Sequence, residues 1–114
     1  MHELAITQSI LNIAENAAKE HGVKKVREVR IKIGDYSGVV PQCVRYYFDV
    51  ISKGTVAEGA ELKMERLPIL MRCEACNWQG EVDKHHIECP FCGGIRLKLL
   101  QGREFYVESL EVDD

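Results

Sequence analysis

Two Cys-x-x-Cys pairs constrain this chain more than any other feature. The first reads Cys73-Glu74-Ala75-Cys76. The second reads Cys89-Pro90-Phe91-Cys92 and runs on into Gly93-Gly94, after about a dozen intervening residues. Pairs of this kind act as knuckles: backbone amides turn toward the thiolates, and small residues such as Gly93 and Gly94 permit the close approach. Four thiolates around one ion are the usual setting of structural zinc, and a full set of four leaves no open coordination position for catalysis. Three other uses of the same residues compete. Two disulfides would need an oxidising compartment, whereas no secretory signal precedes Met1 and a reducing one is expected. A dithiol redox site needs only one pair and a βαβ surround that is missing here. A rubredoxin-like iron centre also suits Cys-Pro-x-Cys-Gly. Spacing favours zinc, with iron left open.

The rest of the chain sets the frame. At 114 residues it makes about one domain with a modest core. No apolar run approaches the roughly 20 residues of a membrane span, so a cytoplasmic protein without a membrane partner is expected. The formal charge is −3, and basic residues form no run. Between Ile69 and Lys98 the cations Arg72, Lys84, Arg96 and Lys98 are matched by Glu74, Glu81, Asp83 and Glu88. Four thiolates with one divalent ion would bring that stretch to about −2. Such a balance argues against a nucleic-acid partner.

Periodicity supplies the fold. Ile6, Ile10, Ile13, Ala14 and Ala17 recur at helical steps and predict an amphipathic helix closed by Gly22. Val29, Ile31 and Ile33 alternate with Arg30 and Lys32 as a strand with one buried face. Pro41 opens a second helix with Val40, Val44, Tyr47, Phe48 and Ile51 on its apolar side, ended by Gly54. Leu62 and Met64 mark a second strand. A third, about Glu104 to Val112, changes face near Ser109, where a bulge would reconcile its two halves. The expected fold is α+β: a small three-stranded sheet with two helices on one face, plus an inserted zinc-ribbon-like subdomain built on four cysteines. Residues 1–68 and 99–114 would form the α+β domain and residues 69–98 the zinc-binding insert. That insert can hardly bury a core without metal, so metal binding would supply its folding energy. Leu67–Met71 and Leu97–Glu104 are read as hinges, the second loosened by Gly102, and Trp78 is expected to pack within the insert.

His2 precedes the apolar stripe and has no evident core role; by itself it reads as a solvated histidine at a chain end. A terminal amine, a backbone amide nitrogen and the imidazole of residue 2 can also close chelate rings on one cation, a nitrogen set suited to square-planar Ni²⁺ or Cu²⁺. The opening Met1-His2-Glu3, the helix that follows and the two cysteine pairs together resemble the HypA family of hydrogenase nickel-incorporation proteins, and the resemblance runs over essentially the whole chain. It implies a nickel site containing His2, with Met1 and Glu3 contributing through backbone or side chain. It also implies zinc on Cys73, Cys76, Cys89 and Cys92. The partners implied are a HypB-type nickel-handling GTPase, the [NiFe]-hydrogenase large-subunit precursor and, for some relatives, urease maturation proteins.

In some relatives histidines beside the cysteine pairs join the zinc site as acidity changes. Here the loop carries His85 and His86 instead, a solvated pair or auxiliary metal ligands. Cys43 borders the second helix's apolar side as a partly buried free thiol. No nucleophile–base pair, phosphate loop or paired carboxylates are placed for catalysis, so no enzyme is expected. A metallochaperone with transient Ni²⁺ and structural Zn²⁺ is the leading function; a zinc-ribbon adaptor that only binds protein is the alternative.

Overall fold

The nineteen residues Glu3–His21 form the first helix, α1. It ends where Gly22 takes φ 65° and the Val23 amide reaches back 3.0 Å to the Ala18 carbonyl, the hydrogen bond that closes a helix over a left-handed residue. The computed structural model describes residues 3–113. After α1 come β1 (Lys25–Gly34), α2 (Pro41–Ile51), β2 (Glu61–Leu67), β3 (Leu70–Cys73), β4 (Gln79–Glu81), β5 (Leu97–Gln101) and β6 (Phe105–Asp113). The protein is α+β, with one three-stranded sheet ordered β2-β1-β6 and a second ordered β4-β3-β5.

The chain divides into two compact units. One takes in residues up to Ile31, Val39–Glu65 and the strand from Tyr106 onward; the other takes in Lys32–Gly38 and Arg66–Phe105. In the first, α1 packs against α2. Ile10, Leu11, Ala14 and Ala18 of α1, Val44 and Phe48 of α2, Val26, Val29 and Ile31 of β1, and Leu62 of β2 are buried. The buried stripe of α1 is thus turned from the one that periodicity predicts. It runs through Thr7, Ile10, Leu11, Ala14 and Ala18, whereas Ile13 is 46% exposed. Ile13 and Ala17 line a groove of about 370 Å³ with Val107, Leu110 and Val112 of β6. In β6 itself, Phe105 and Val107 are half-buried, Glu108 and Ser109 are both exposed, and half-burial resumes at Leu110. Val112, expected to share a face with Leu110, is 40% exposed. Val40 precedes α2 in an extended conformation, φ −97° and ψ 109°, as the residue before a proline prefers.

The second unit holds strands that periodicity missed, because each is only three to five residues long. β3 pairs antiparallel with both β4 and β5. The stretches expected as hinges therefore supply β3 and β5. Ile69, Met71 and Val82 form a small core of this unit, against which Trp78, Ile87, Leu97 and Leu99 pack. Gly102 is buried at φ 140°, and a Cβ there would lie 3.3 Å from the Cα of Ile69. It is a site of close packing rather than a loosened joint.

Candidate metal centre

The two knuckles are built alike. In the first, the Cys73 amide donates to the Trp78 carbonyl at 2.7 Å, and the Asn77 amide donates to the Cys73 carbonyl at 2.9 Å. In the second, the Cys89 amide donates to the Gly94 carbonyl and the Gly93 amide to the Cys89 carbonyl, each at 2.8 Å. Both turns need positive φ four residues after their first cysteine, 65° at Asn77 and 74° at Gly93. Asparagine and glycine are the residues that accept it most readily. Gly93 is legible from sequence as such a residue; Asn77 is the less obvious one, and its tolerance of this conformation is the available signal. Gly80 is explained here too: the ring of Trp78 lies 2.6 Å from where a Cβ would stand.

The knuckles bring all four sulfurs within 4.8 Å of one another. Cys73 Sγ lies 3.6 Å from Cys92 Sγ, and Cys76 Sγ lies 3.6 Å from Cys89 Sγ. A tetrahedral ion with sulfur at about 2.3 Å sets its ligands about 3.8 Å apart, so the donor set fits such an ion with small adjustments. Cys73 and Cys89 are buried, Cys76 is half-buried and Cys92 is exposed. Gly94 leaves room for the cluster: a Cβ there would stand 3.3 Å from Cys92 Sγ and 3.9 Å from Cys73 Sγ. The Cys92 amide donates to Cys89 Sγ at 3.4 Å.

These contacts divide the thiols. The Cys76 amide, helped by that of Ala75 and opposed by burial, lowers Cys73 to about 7. Burial works against ionisation of Cys89, but the amides of Cys92 and Phe91 hold it below the ordinary thiol value. The Trp78 amide pulls Cys76 down, yet burial and the three neighbouring sulfurs together push it up to about 12. For Cys92 the Gly94 amide acts downward and is outweighed by the sulfurs of Cys73 and Cys89, so it too is raised. Four crowded sulfurs cannot all carry charge without a cation among them. A thiophilic divalent ion would supply that charge and take all four as thiolates.

The other predicted site residues fall elsewhere. Met1 and His2 lie outside the described residues. Glu3 is 6% exposed, and its carboxylate accepts a hydrogen bond from the Val40 amide at 3.2 Å. His85 and His86 are exposed. Their turn is fixed by Asp83, whose carboxylate accepts the His85 amide at 2.7 Å and whose carbonyl accepts the His86 amide at 2.9 Å. Neither histidine joins a cluster of three or more ligand-type side chains among the described residues. Cys43 is half-buried and free. No helix among the described residues is long and apolar enough to cross a membrane.

The fold and the four-sulfur cluster define a class, small α+β proteins carrying four clustered cysteines able to hold a metal ion. The family profile described as "Hydrogenase/urease nickel incorporation, metallochaperone, hypA" matches residues 1–112. The hydrogenase maturation factor HypA of Moorella thermoacetica is 38% identical over 111 residues, covering 97% of this chain and 98% of that one. Its counterpart in Dehalococcoides mccartyi is 39% identical over 114 residues, covering 100% and 96%. Among solved structures, the solution structure of the Ni metallochaperone HypA from Helicobacter pylori superposes with a TM-score of 0.68 at 23% identity, over 99% of this chain and 98% of that one. The chain belongs to the HypA family.

Proposed function

We propose that this chain is a nickel metallochaperone that takes up Ni²⁺ at its N-terminus and helps insert it into the [NiFe]-hydrogenase large subunit during maturation. His2 would supply the imidazole, the amine of Met1 and backbone nitrogen of the first residues the remaining donors, and the ion is cargo rather than a resident cofactor. Structural zinc would sit on Cys73, Cys76, Cys89 and Cys92 and give the second unit a fixed shape. The observation that carries this reading is the family match from residue 1 to residue 112. It runs from the Met-His-Glu opening through the cysteine cluster, and the relatives it gathers are maturation factors by name.

The chemistry required is ligand exchange. Nickel arrives on one set of donors and leaves to another, with no covalent step on this chain, and no enzymatic role is assigned. A neutral imidazole is needed to ligate, so nickel affinity should fall as pH drops below about 6.5. The expected partners are a HypB-type nickel-handling GTPase and the hydrogenase precursor, with urease maturation proteins as further recipients, all in the cytoplasm. His85 and His86 are kept as auxiliary ligands to be tested by substitution.

The test is a calorimetric nickel titration of the zinc-loaded chain, made without any residue ahead of Met1, beside His2→Ala. One nickel bound by the native chain and lost by the variant, with zinc content unchanged, supports the reading. Equal binding by both would move the site away from the N-terminus. No binding by either would leave a zinc-stabilised adaptor.

A further inference from the structure

The strand β6 lies at the end of the order β2-β1-β6. Its one strand neighbour among the described residues is β1, which holds it to its far end: the Lys24 amide donates to the Asp113 carbonyl at 3.3 Å. An edge of this length presents main-chain donors and acceptors in a row, a template for another extended chain. Proteins commonly blunt such edges with proline or lysine. Residues 105–113 contain neither.

Two kinds of surface flank that edge. Apolar surface lies on the side of α1, where Ile13 and Ala17 share a groove of about 370 Å³ with Val107, Leu110 and Val112. Ile13 and Val112 stay 46% and 40% exposed there. Acidic side chains supply the other kind. The strand carries Glu108, Glu111 and Asp113 and no basic residue. Arg30 lies 3.9 Å from Glu111 and Arg27 lies 3.5 Å from Asp113, so β1 offsets part of that charge from one side. Nothing equivalent comes from within β6.

We propose that the outer edge of β6 is a docking site for an extended segment of a partner protein, one that alternates apolar residues with lysine or arginine and adds a strand beside β6. The proposal is independent of nickel delivery and of the metal centre. Successive side chains of a strand point to opposite faces. The apolar half of such a segment would cover the groove while its basic half met the acids of β6, and opposite charges across neighbouring strands are favourable. Main-chain hydrogen bonds would give affinity, and the alternation would give specificity. A second copy of this chain fits less well. Pairing β6 with β6 gathers the acids of both copies with no lysine or arginine of either strand between them, and like charges across strands destabilise the pair.

The test titrates the full, zinc-loaded chain with four blocked peptides as long as β6. One alternates lysine with valine, one glutamate with valine and one lysine with serine; the fourth is the lysine–valine peptide N-methylated at every residue. The lysine–valine peptide should bind saturably and protect amides of residues 107–112 from hydrogen exchange. The other three should bind at least about tenfold more weakly, each lacking one of charge, apolar face or main-chain donors. Ile13→Ser, a change at an exposed position, should weaken lysine–valine binding about fivefold. Glu108→Lys combined with Glu111→Lys should weaken it about tenfold and let the glutamate–valine peptide bind instead. The peptide series alters no residue of the protein, so it decides the matter even if a variant misfolds. Absence of saturable lysine–valine binding up to about 1 mM would overturn the proposal. Equal binding of the lysine–serine peptide would reduce the site to charge attraction. Binding that survives full N-methylation, or leaves β6 exchange unchanged, would exclude strand addition. A wild-type chain that sediments as a dimer with its β6 amides already protected would assign the edge to a second copy.

Discussion

In the first unit the largest fully buried side chains include Phe48, Ile10, Ile31, Val26, Val29 and Val44; in the second they are Ile69, Cys73 and Cys89. Two of the three in the second unit are thus cysteines of the four-sulfur cluster. One region is held by apolar surface removed from water, the other by a few apolar contacts around a cluster that needs a cation. The second has the core of Ile69, Met71 and Val82 with Trp78, Ile87, Leu97 and Leu99 packed against it, small beside the conformational entropy of the 47 residues in Lys32–Gly38 and Arg66–Phe105.

That contrast breaks hardest at the metal. Stripping the ion with a chelator, or replacing Cys89 with serine, should unfold the second unit while the first persists. Structural zinc contributes about 10–16 kcal/mol in small domains, more than a core of three buried apolar side chains and their half-buried neighbours is expected to replace. In a nitrogen-15 spectrum the amides of Met71, Trp78 and Val82 should collapse to unfolded positions, and those of Val26, Ile31 and Phe48 should stay dispersed. Collapse of both sets together would mean that the units do not fold independently.

The reverse experiment comes next in size. Phe48 is 1% exposed and sits on α2, the helix against which α1 packs. Phe48→Ala should cost the first unit about 3–5 kcal/mol, the usual range for emptying an aromatic site, a large part of the total stability of a small domain. Bound zinc, counted by metal analysis on the folded fraction, should be unchanged. A matching loss of zinc would show that the metal centre leans on the helical core.

The same contrast governs what could be read from the sequence. Periodicity located α1, β1, α2 and β2 because each buries one face over many residues, and cysteine spacing located the metal cluster because ligand geometry tolerates few alternatives. The strands β3, β4 and β5 escaped because they span only three to five residues each, too few for an alternating pattern to stand out. The rotation of α1 escaped for another reason. Ile10, Leu11, Ile13 and Ala14 are all apolar, so two overlapping stripes were available, and the choice between them depends on neighbours that are distant in sequence. The burial of Glu3 was equally hidden, because its partner is a backbone amide 37 residues away.

The smallest effect separates the units by charge. In the second, Arg66 grips Asp35 with two hydrogen bonds of 2.7 Å, and that guanidinium holds the carboxyl below its ordinary value of 3.8. In the first, Glu28 is held low by Arg30 foremost and also by Lys63, whose Nζ lies 3.2 Å away. A carboxyl with a depressed folded pKa contributes stability that is complete above its unfolded value and is lost as pH falls through the folded one. Arg66→Ala should therefore raise the Asp35 pKa toward 3.8, read from its carboxyl carbon shift, and weaken only the second unit. Removing the pair leaves no difference to be lost at low pH, so the variant's deficit should vanish below the folded pKa and be full above about pH 4–5. The Arg66 side chain is 76% exposed, so water and salt screen the pair and the deficit should shrink at high ionic strength. An Asp35 titration that does not move in Arg66→Ala would mean the bidentate pair is not formed in solution. A deficit that persisted in acid would assign the effect to lost packing of the arginine stem rather than to charge.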